Sequence, residues 1–424
     1  METVTQTLDG IAALFNAQPT DRFSALREVG WKSFSAKGWP TRRDEEYKFT
    51  ALDQLIKRKF TFTKSEVNSE LDTQEMLSNF YAVDGHHLVF VNGQFRRNLS
   101  TIHSADLHIT SFDEMTDEAV KKVVELTTSD SRATVQINQS FLSNGIVIEA
   151  AKSTDPLPVF IYHFNGAEGQ NISFPRLHIL ANENAHLRCY EKSFQFTREA
   201  HFSSTIITAD VARHASVRLT KLQTYGANEI ALDNLFVQQA ADSHFFANTF
   251  SFSGGLIRNN LEISINGEHA EANMYGLYLL DGQSHVDNHT VVDHKVANCN
   301  SNELYKGIVD EQATGVFNGK IFVRQPAQKT NAFQANNNIV MSDTATIHTK
   351  PQLEIWADDV KCSHGCTVGQ MDEEALFYLQ SRGIRAAAAK AMLLNAFAEE
   401  TLAHVLLPEI NEEITNLIHN RLDV

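Results

Sequence analysis

Hydrophobic and polar positions along this 424-residue chain change period twice. Near the start, Leu8, Ile11, Ala12 and Phe15 fall at i, i+3, i+4 and i+7, which predicts an amphipathic helix. Leu88–Phe95 (LVFVNGQF) is a β-rich run broken by Asn92-Gly93, a hairpin signal. Asp113 to Thr127 returns to a helical pattern, with Asp113 as the expected N-cap. Residues 1–140 are therefore expected to form a mixed, mainly helical N-terminal region.

From about 145 to 360 the pattern alternates. Runs such as ILANENAHLRCYE, STIITADVARHASVRLTKL and GVFNGKIFV read as strands, separated by short polar turns that end in Ala or Ser. Those small residues are Ala185, Ala215, Ser243, Ala270, Ser284, Ala313 and Ala345, at steps of 30, 28, 27, 14, 29 and 32. A period near 30 marks stacked repeats, and strand-rich content selects a parallel β-helix. The half-step of 14 fits a turn at the opposite edge of a two-sheet coil. The inside of such a helix is expected to need only small or apolar residues.

The C-terminal segment turns helical again. Asp372 is placed to cap Glu373–Gln380, with Gly383 as its stop. Ala387, Ala391, Leu394, Ala398 and Leu402 then share one face of a long helix. Pro408 opens a third helix with Ile410, Ile414, Leu417 and Ile418 on its stripe. The expected fold class is mainly β: a right-handed parallel β-helix core over 141–365, between the N-terminal region and a C-terminal helical module over 366–424. The small module is expected to leave apolar surface for a partner, and its deletion from 372 onward to leave the β-helix folded.

Composition narrows the function. A net charge of −16 argues against nucleic-acid or anionic-membrane partners. The N-terminus lacks a basic n-region, and no apolar run approaches the roughly 18 residues of a membrane span. Four cysteines without an export signal point to a reducing, cytoplasmic setting. No G-x-x-x-x-G-K-[ST] loop is present, so no nucleotide is expected to bind to this chain itself.

The densest chemistry lies in Leu353–Gly383, LEIWADDVKCSHGCTVGQMDEEALFYLQSRG. Cys362, His364 and Cys366 alternate, so a strand through them would point two thiols and an imidazole to one side. Such ligands suit zinc, copper or iron–sulfur chemistry. Three ligands leave a structural zinc site incomplete, and Cys189 or Cys299 would complete it only if folding brought them near. His285, Asp287 and His289 also alternate, followed by Asp293-His294, and read as a metal face or, more commonly, a solvated strand face or a β-helix turn ladder. Asp358-Asp359 would flank one glycosidic bond only if a turn intervened. A β-helix carbohydrate lyase or hydrolase and a stand-alone zinc-binding protein are the competing classes.

ADDVKCSHGCTVGQMDEEALFYLQSRGI resembles the C-terminal signature of the SufB/SufD family, the scaffold proteins of Suf iron–sulfur cluster assembly. GWPTRRDEEYKFT at 38–50 resembles the N-terminal block of the SufD branch, although alone it reads as a helix entry with solvated charges. VDHKVANCNSNELYKGIVDEQATGVFNGKIFVRQPAQKTNAFQANNNIVMSD at 292–343 resembles the family core, so the resemblance covers most of the chain. It implies a β-helical scaffold rather than an enzyme. It also implies a complex with a SufB-like subunit and a SufC-like ABC ATPase docked on the helical module, with a homodimer as a state of the isolated chain. A transient iron–sulfur cluster or iron would form at the interface with SufB. His364 would be its first ligand, as cofactor and metal site, and Cys362 its second. In the family, position 366 is a small non-thiol residue, so Cys366 is a departure whose role is open.

Overall fold

The computed structural model describes residues 2–60, 62, 72–103, 107–152, 156–166 and 171–422. Its centre is a parallel β-solenoid of about seven turns, built from two ten-stranded sheets. Alternate strands feed alternate sheets. One sheet runs through 216–224, 244–253, 271–280, 300–309, 331–340 and 361–369; the other through 229–239, 256–265, 285–294, 314–323 and 346–355. The spacing near 30 in the sequence is one full turn of this coil.

The repeated small residues are the corners. Ala185, Ala215, Ser243 and Ala270 are fully buried, each just before a strand of the first sheet. Each carbonyl accepts an amide from the next coil: Ser216, His244, Glu271 and Asn300 donate at 2.8, 2.9, 2.9 and 3.0 Å. The preceding residues Asn184, His214, Asp242 and His269 sit at φ of 61°, 57°, 58° and 62°. That left-handed conformation is one that Asn, Asp and His tolerate better than most residues. Cys299 and Thr330 continue the series, accepting from Asn331 and Lys361 at 3.0 and 2.9 Å. Ser284, Ala313 and Ala345 precede strands of the second sheet, so the half-step of 14 is the change of edge.

The two ends of the solenoid differ. At the first, antiparallel strands close each sheet. Gln94–Phe95 folds back on His86–Val91, with Asn92 and Gly93 at φ of 49° and 78° as a two-residue hairpin turn requires, and Leu107–Ser111 pairs with Ile146–Ala150. His86–Val91 itself pairs in parallel with Val159–Asn165, so the coil draws strands from well before residue 141. A single short strand shows no repeat, which hid this in the sequence. The last coil ends on Thr346–Ile355 and Lys361–Gly369, both half-buried or exposed, with no closing strand among the described residues.

Helices cover both broad faces. Ile11, Phe34, Leu52, Ile56 and Phe60 pack on Phe202, Ile230, Leu232 and Leu256 of one sheet. Leu394, Ala398, Leu402, Ile410, Ile414 and Ile418 join one cluster with Leu222, Phe250, Leu277 and Ile308 of the other, the Ala386–Leu402 helix lying over the strands at 271–280 and 300–309. Each large side chain buried there contributes about 1.5–3 kcal/mol. The Ala386–Leu402 and Pro408–Arg421 helices therefore spend their stripes on the solenoid, and removing them would uncover a sheet face. The expectation that the β-helix stays folded without the module has this packing against it. Of the three C-terminal helices, the one at Glu373–Ser381, capped by Asp372 as expected, buries no residue. Ala387 is exposed, so the long stripe begins a turn later than the spacing suggests.

Two local readings also shift. The helix expected from Asp113 begins at Asp117 with Thr116 as its cap; Asp113 lies in a 3-10 turn held by a Ser111/Glu114 capping box. The interior is not purely apolar either. His163 Nε2 lies 2.9 Å from Glu191 Oε1, Lys221 Nζ lies 3.1 Å from Glu191 and 2.9 Å from Asp233, and Gln223 bridges Asp233 to Asn259 at 2.8 Å each. Burial opposes the Lys221 charge, but the two carboxylates outweigh it and raise its pKa. Opposite charges meeting across the lumen replace the water that each group loses.

Candidate functional site

The strand predicted through the Cys-x-His-x-Cys motif exists and runs on to Gly369. Its register places Cys362 beside Ala332, His364 beside Gln334 and Cys366 beside Asn336. Those three partners are buried inside the coil, so the motif projects to the lumen side. No later coil covers it among the described residues, and His364 and Cys366 are exposed. Cys362 is half-buried against a cluster containing Ile321, Val323, Ala327 and Ala332, and burial raises its pKa. Its thiol therefore stays protonated at neutral pH until a metal or base displaces the proton.

Same-face neighbours in a strand stand about 6.5–7 Å apart, so adjacent members of the trio can share an ion but Cys362 and Cys366 cannot pair. No group of three His, Cys, Asp or Glu among the described residues converges as a metal site. Cys189 and Cys299 do not complete one. Cys189 faces the lumen far inside, its pKa raised by burial, and Cys299 is a corner residue whose Sγ donates to the carbonyls of Ala297 and Gly267 at 3.2 and 3.4 Å. What the chain offers alone is an imidazole and two thiols in alternation on a strand with one edge left unpaired among the described residues.

The alternating His285, Asp287 and His289 are neither a metal face nor a solvated one. The segment read as a solvated helix entry clamps over them. Thr50 Oγ1 lies 2.9 Å from His285 Nε2 and donates to Asp287, and Arg258 also pairs with Asp287. His289 bridges Asp287 and Glu46 at 2.9 and 3.1 Å, while Glu46 also pairs with Lys320. Phe49 stacks on His348 at 4.0 Å. Burial lowers the pKa of His285 to about 4; burial also opposes the Asp287 carboxylate, but Arg258, His289 and Thr50 hold its pKa well below the usual range. His294 turns into the lumen and meets Ser301 at 2.9 Å. Asp358 and Asp359 lie in the bend before the terminal strand, both exposed.

Sequence reasoning missed what stands behind His364. Glu303, Gln334 and His364 are register partners on three successive strands. Their steps of 31 and 30 are the coil period, so adding one period twice to Glu303 would have found the column. Burial pushes the Glu303 carboxyl up to about 7.

Comparison with known proteins places this geometry in context. Residues 163–397 match the model of the SufBD core domain of SUF-system FeS cluster assembly, and residues 5–155 match that of the SufBD protein N-terminal region. The iron–sulfur cluster assembly protein SufD of Escherichia coli (strain K12) is 31% identical, over 96% of this chain and 95% of that protein. An iron–sulfur cluster assembly SufBD family protein of Synechocystis is 28% identical, over 90% and 87%. Protein ABCI7, chloroplastic, of Arabidopsis thaliana is 25% identical, over 99% and 90%.

Proposed function

The chain belongs to the SufBD family of iron–sulfur cluster assembly proteins, and from that premise we propose that it acts as a SufD-like scaffold subunit whose open solenoid end completes a cluster site with a SufB-like partner. The observation that carries this is the asymmetry of the ends. One end is closed by antiparallel strands, while the other leaves Lys361–Gly369 with a free edge and presents Cys362, His364 and Cys366. Repeat stacks need capping, and a free strand edge is a template for pairing. Phe333, Trp356 and Val368 around that edge are 44%, 49% and 49% exposed, which suits burial against a second coil. Pro351 removes a donor from the neighbouring terminal strand, so augmentation favours the edge that carries His364.

His364 supplies an imidazole nitrogen to iron, Cys362 a thiolate in second place, and the partner the remaining ligands; the cluster or iron is cargo of the joint site. The ABC-type ATPase docks on the Glu373–Ser381 helix, where Phe377 and Tyr378 are 72% and 57% exposed. The chain itself binds no nucleotide and works in the cytoplasm; no described helix is long and apolar enough to cross a membrane. Co-expression with SufB-like and SufC-like subunits tests the reading by iron and sulfide content. A complex that assembles and carries clusters equally well with His364→Ala refutes the site.

A further inference from the structure

The columns of Cys362, His364 and Cys366 run back into the lumen, and behind His364 stand two polar residues that are almost fully buried. Glu303 and Gln334 are 1% and 3% exposed. Gln334 Nε2 donates to Glu303 Oε2 at 2.7 Å, which turns the amide nitrogen inward and leaves its oxygen over. That oxygen, Oε1, is buried and accepts no hydrogen bond from a described residue. A buried acceptor without a donor is costly, and in a native protein it marks a place where a donor arrives. Opposite the amide lies Gly319, where an added Cβ would stand 2.2 Å from Gln334 Nε2. The missing side chain at Gly319 is what lets the amide lie in this position. The next residue of the column is His364, about 4.8 Å further along the sheet, exposed and free to turn about χ1.

We propose that Gln334 Oε1 accepts the ring N–H of His364 and so holds the neutral imidazole in one tautomer, its other nitrogen bare and turned out of the solenoid toward a metal. This rests on the reading of His364 as a ligand. Gln334 is then a positioning residue and Glu303 its anchor. A ligating histidine with its second nitrogen so engaged is oriented and made more basic, which the ligand role requires. The anchor works in both charge states of Glu303, because a proton on Oε1 leaves Oε2 free to accept from the amide. Cys362 and Cys366 stand over Ala332 and Asn336, and Ala332 has no side-chain acceptor to give. Asn336 is also a tethered amide, but its Oδ1 already accepts from Asn338 at 2.8 Å, so the column of His364 is the one whose amide oxygen is left over.

The test is 15N-histidine NMR of the full chain at pH 8.5, with the spectrum of His364→Ala identifying the resonances. The wild-type ring should show one pyrrole-type and one pyridine-type nitrogen without averaging. Gln334→Met, which keeps the volume and removes the acceptor, should draw the two shifts toward each other. Gly319→Ala, which displaces the amide and removes no polar group, should do the same. An averaged wild-type ring overturns the proposal, whatever the variants do; so do unmoved shifts in a folded Gln334→Met or Gly319→Ala chain. In the co-expressed complex both variants should lower cluster content by about tenfold, as loss of an outer-shell partner does. Full content in Gln334→Met, where His364→Ala loses it, overturns the positioning role. Full content in His364→Ala sinks the ligand reading instead, and the tautomer measurement then decides the hydrogen bond by itself.

Discussion

Glu303 makes a measurable claim about stability. Its side chain is buried in the lumen beside the neutral Thr290 hydroxyl and Gln334 amide, with no cation paired to it among the described residues. Burial lifts its pKa from 4.5 to about 7. Between those values the native chain holds a proton that the unfolded chain has released, so stability falls as pH rises through this window. At 1.36 kcal/mol per pH unit the loss is about 3 kcal/mol, complete above pH ~7. Glu303→Gln keeps the shape and an acceptor for Gln334 but cannot ionise. Relative to wild type, the variant should gain about 3 kcal/mol between pH 4.5 and 8.5, on top of any constant offset. His285 and His294, whose pKa values burial lowers to about 4, act in the opposite sense, costing stability as pH falls from 6.5. They titrate alike in both proteins and cancel in the difference. Urea unfolding followed by tryptophan fluorescence at several pH values provides the assay. A difference that stays flat with pH, or slopes the other way, refutes an unpaired buried carboxyl at this position.

Further outcomes follow from the packing. His364→Ala should change stability by about 1 kcal/mol, the net worth of its hydrogen bond to Gln334 on an otherwise exposed ring, yet collapse the iron and sulfide content of the co-expressed complex. Cys362→Ala should lower that content less and Cys366→Ala least; the reverse order would move the ligand role to the thiols. Lys221→Met leaves Glu191 and Asp233 facing each other in the lumen without their cation and should cost about 3–5 kcal/mol in thermal or urea unfolding. A loss under about 1 kcal/mol would mean the network contributes little. Phe377→Ser with Tyr378→Ser should leave the melting temperature unchanged and weaken ATPase binding by about 2 kcal/mol or more, read by calorimetry. Truncation after Arg382, by contrast, should expose Leu277, Leu279 and Ile308 and yield an aggregating chain; a truncated protein that melts like the full chain contradicts the packing.

The solenoid was legible in the sequence because each coil repeats the same backbone problem. A left-handed corner followed by a buried small residue selects Asn-Ala, His-Ala, Asp-Ser and His-Ala at 184, 214, 242 and 269, and chemistry that local survives in the sequence pattern. The alternation of Cys362, His364 and Cys366 was legible for the same reason, since two-residue periodicity fixes a strand face without tertiary information. Which side of the sheet that face would be, and that no described residue would cover it with a further coil, depended on where the coils stop. The meaning of single polar residues was likewise decided by folding. Glu46 and Thr50 look solvated until the sheet bearing His285, Asp287 and His289 comes beneath them. Cys299 looks like a ligand until it fills a corner. Glu191, Lys221 and Asp233 break the apolar alternation as isolated charges and make sense only when the two sheets bring them within 3.1 Å inside the lumen. Local backbone preference acts over a few neighbouring residues and so can be read along the chain. Desolvation and charge pairing depend on distances between residues tens of positions apart, and those exist only once the coil has closed.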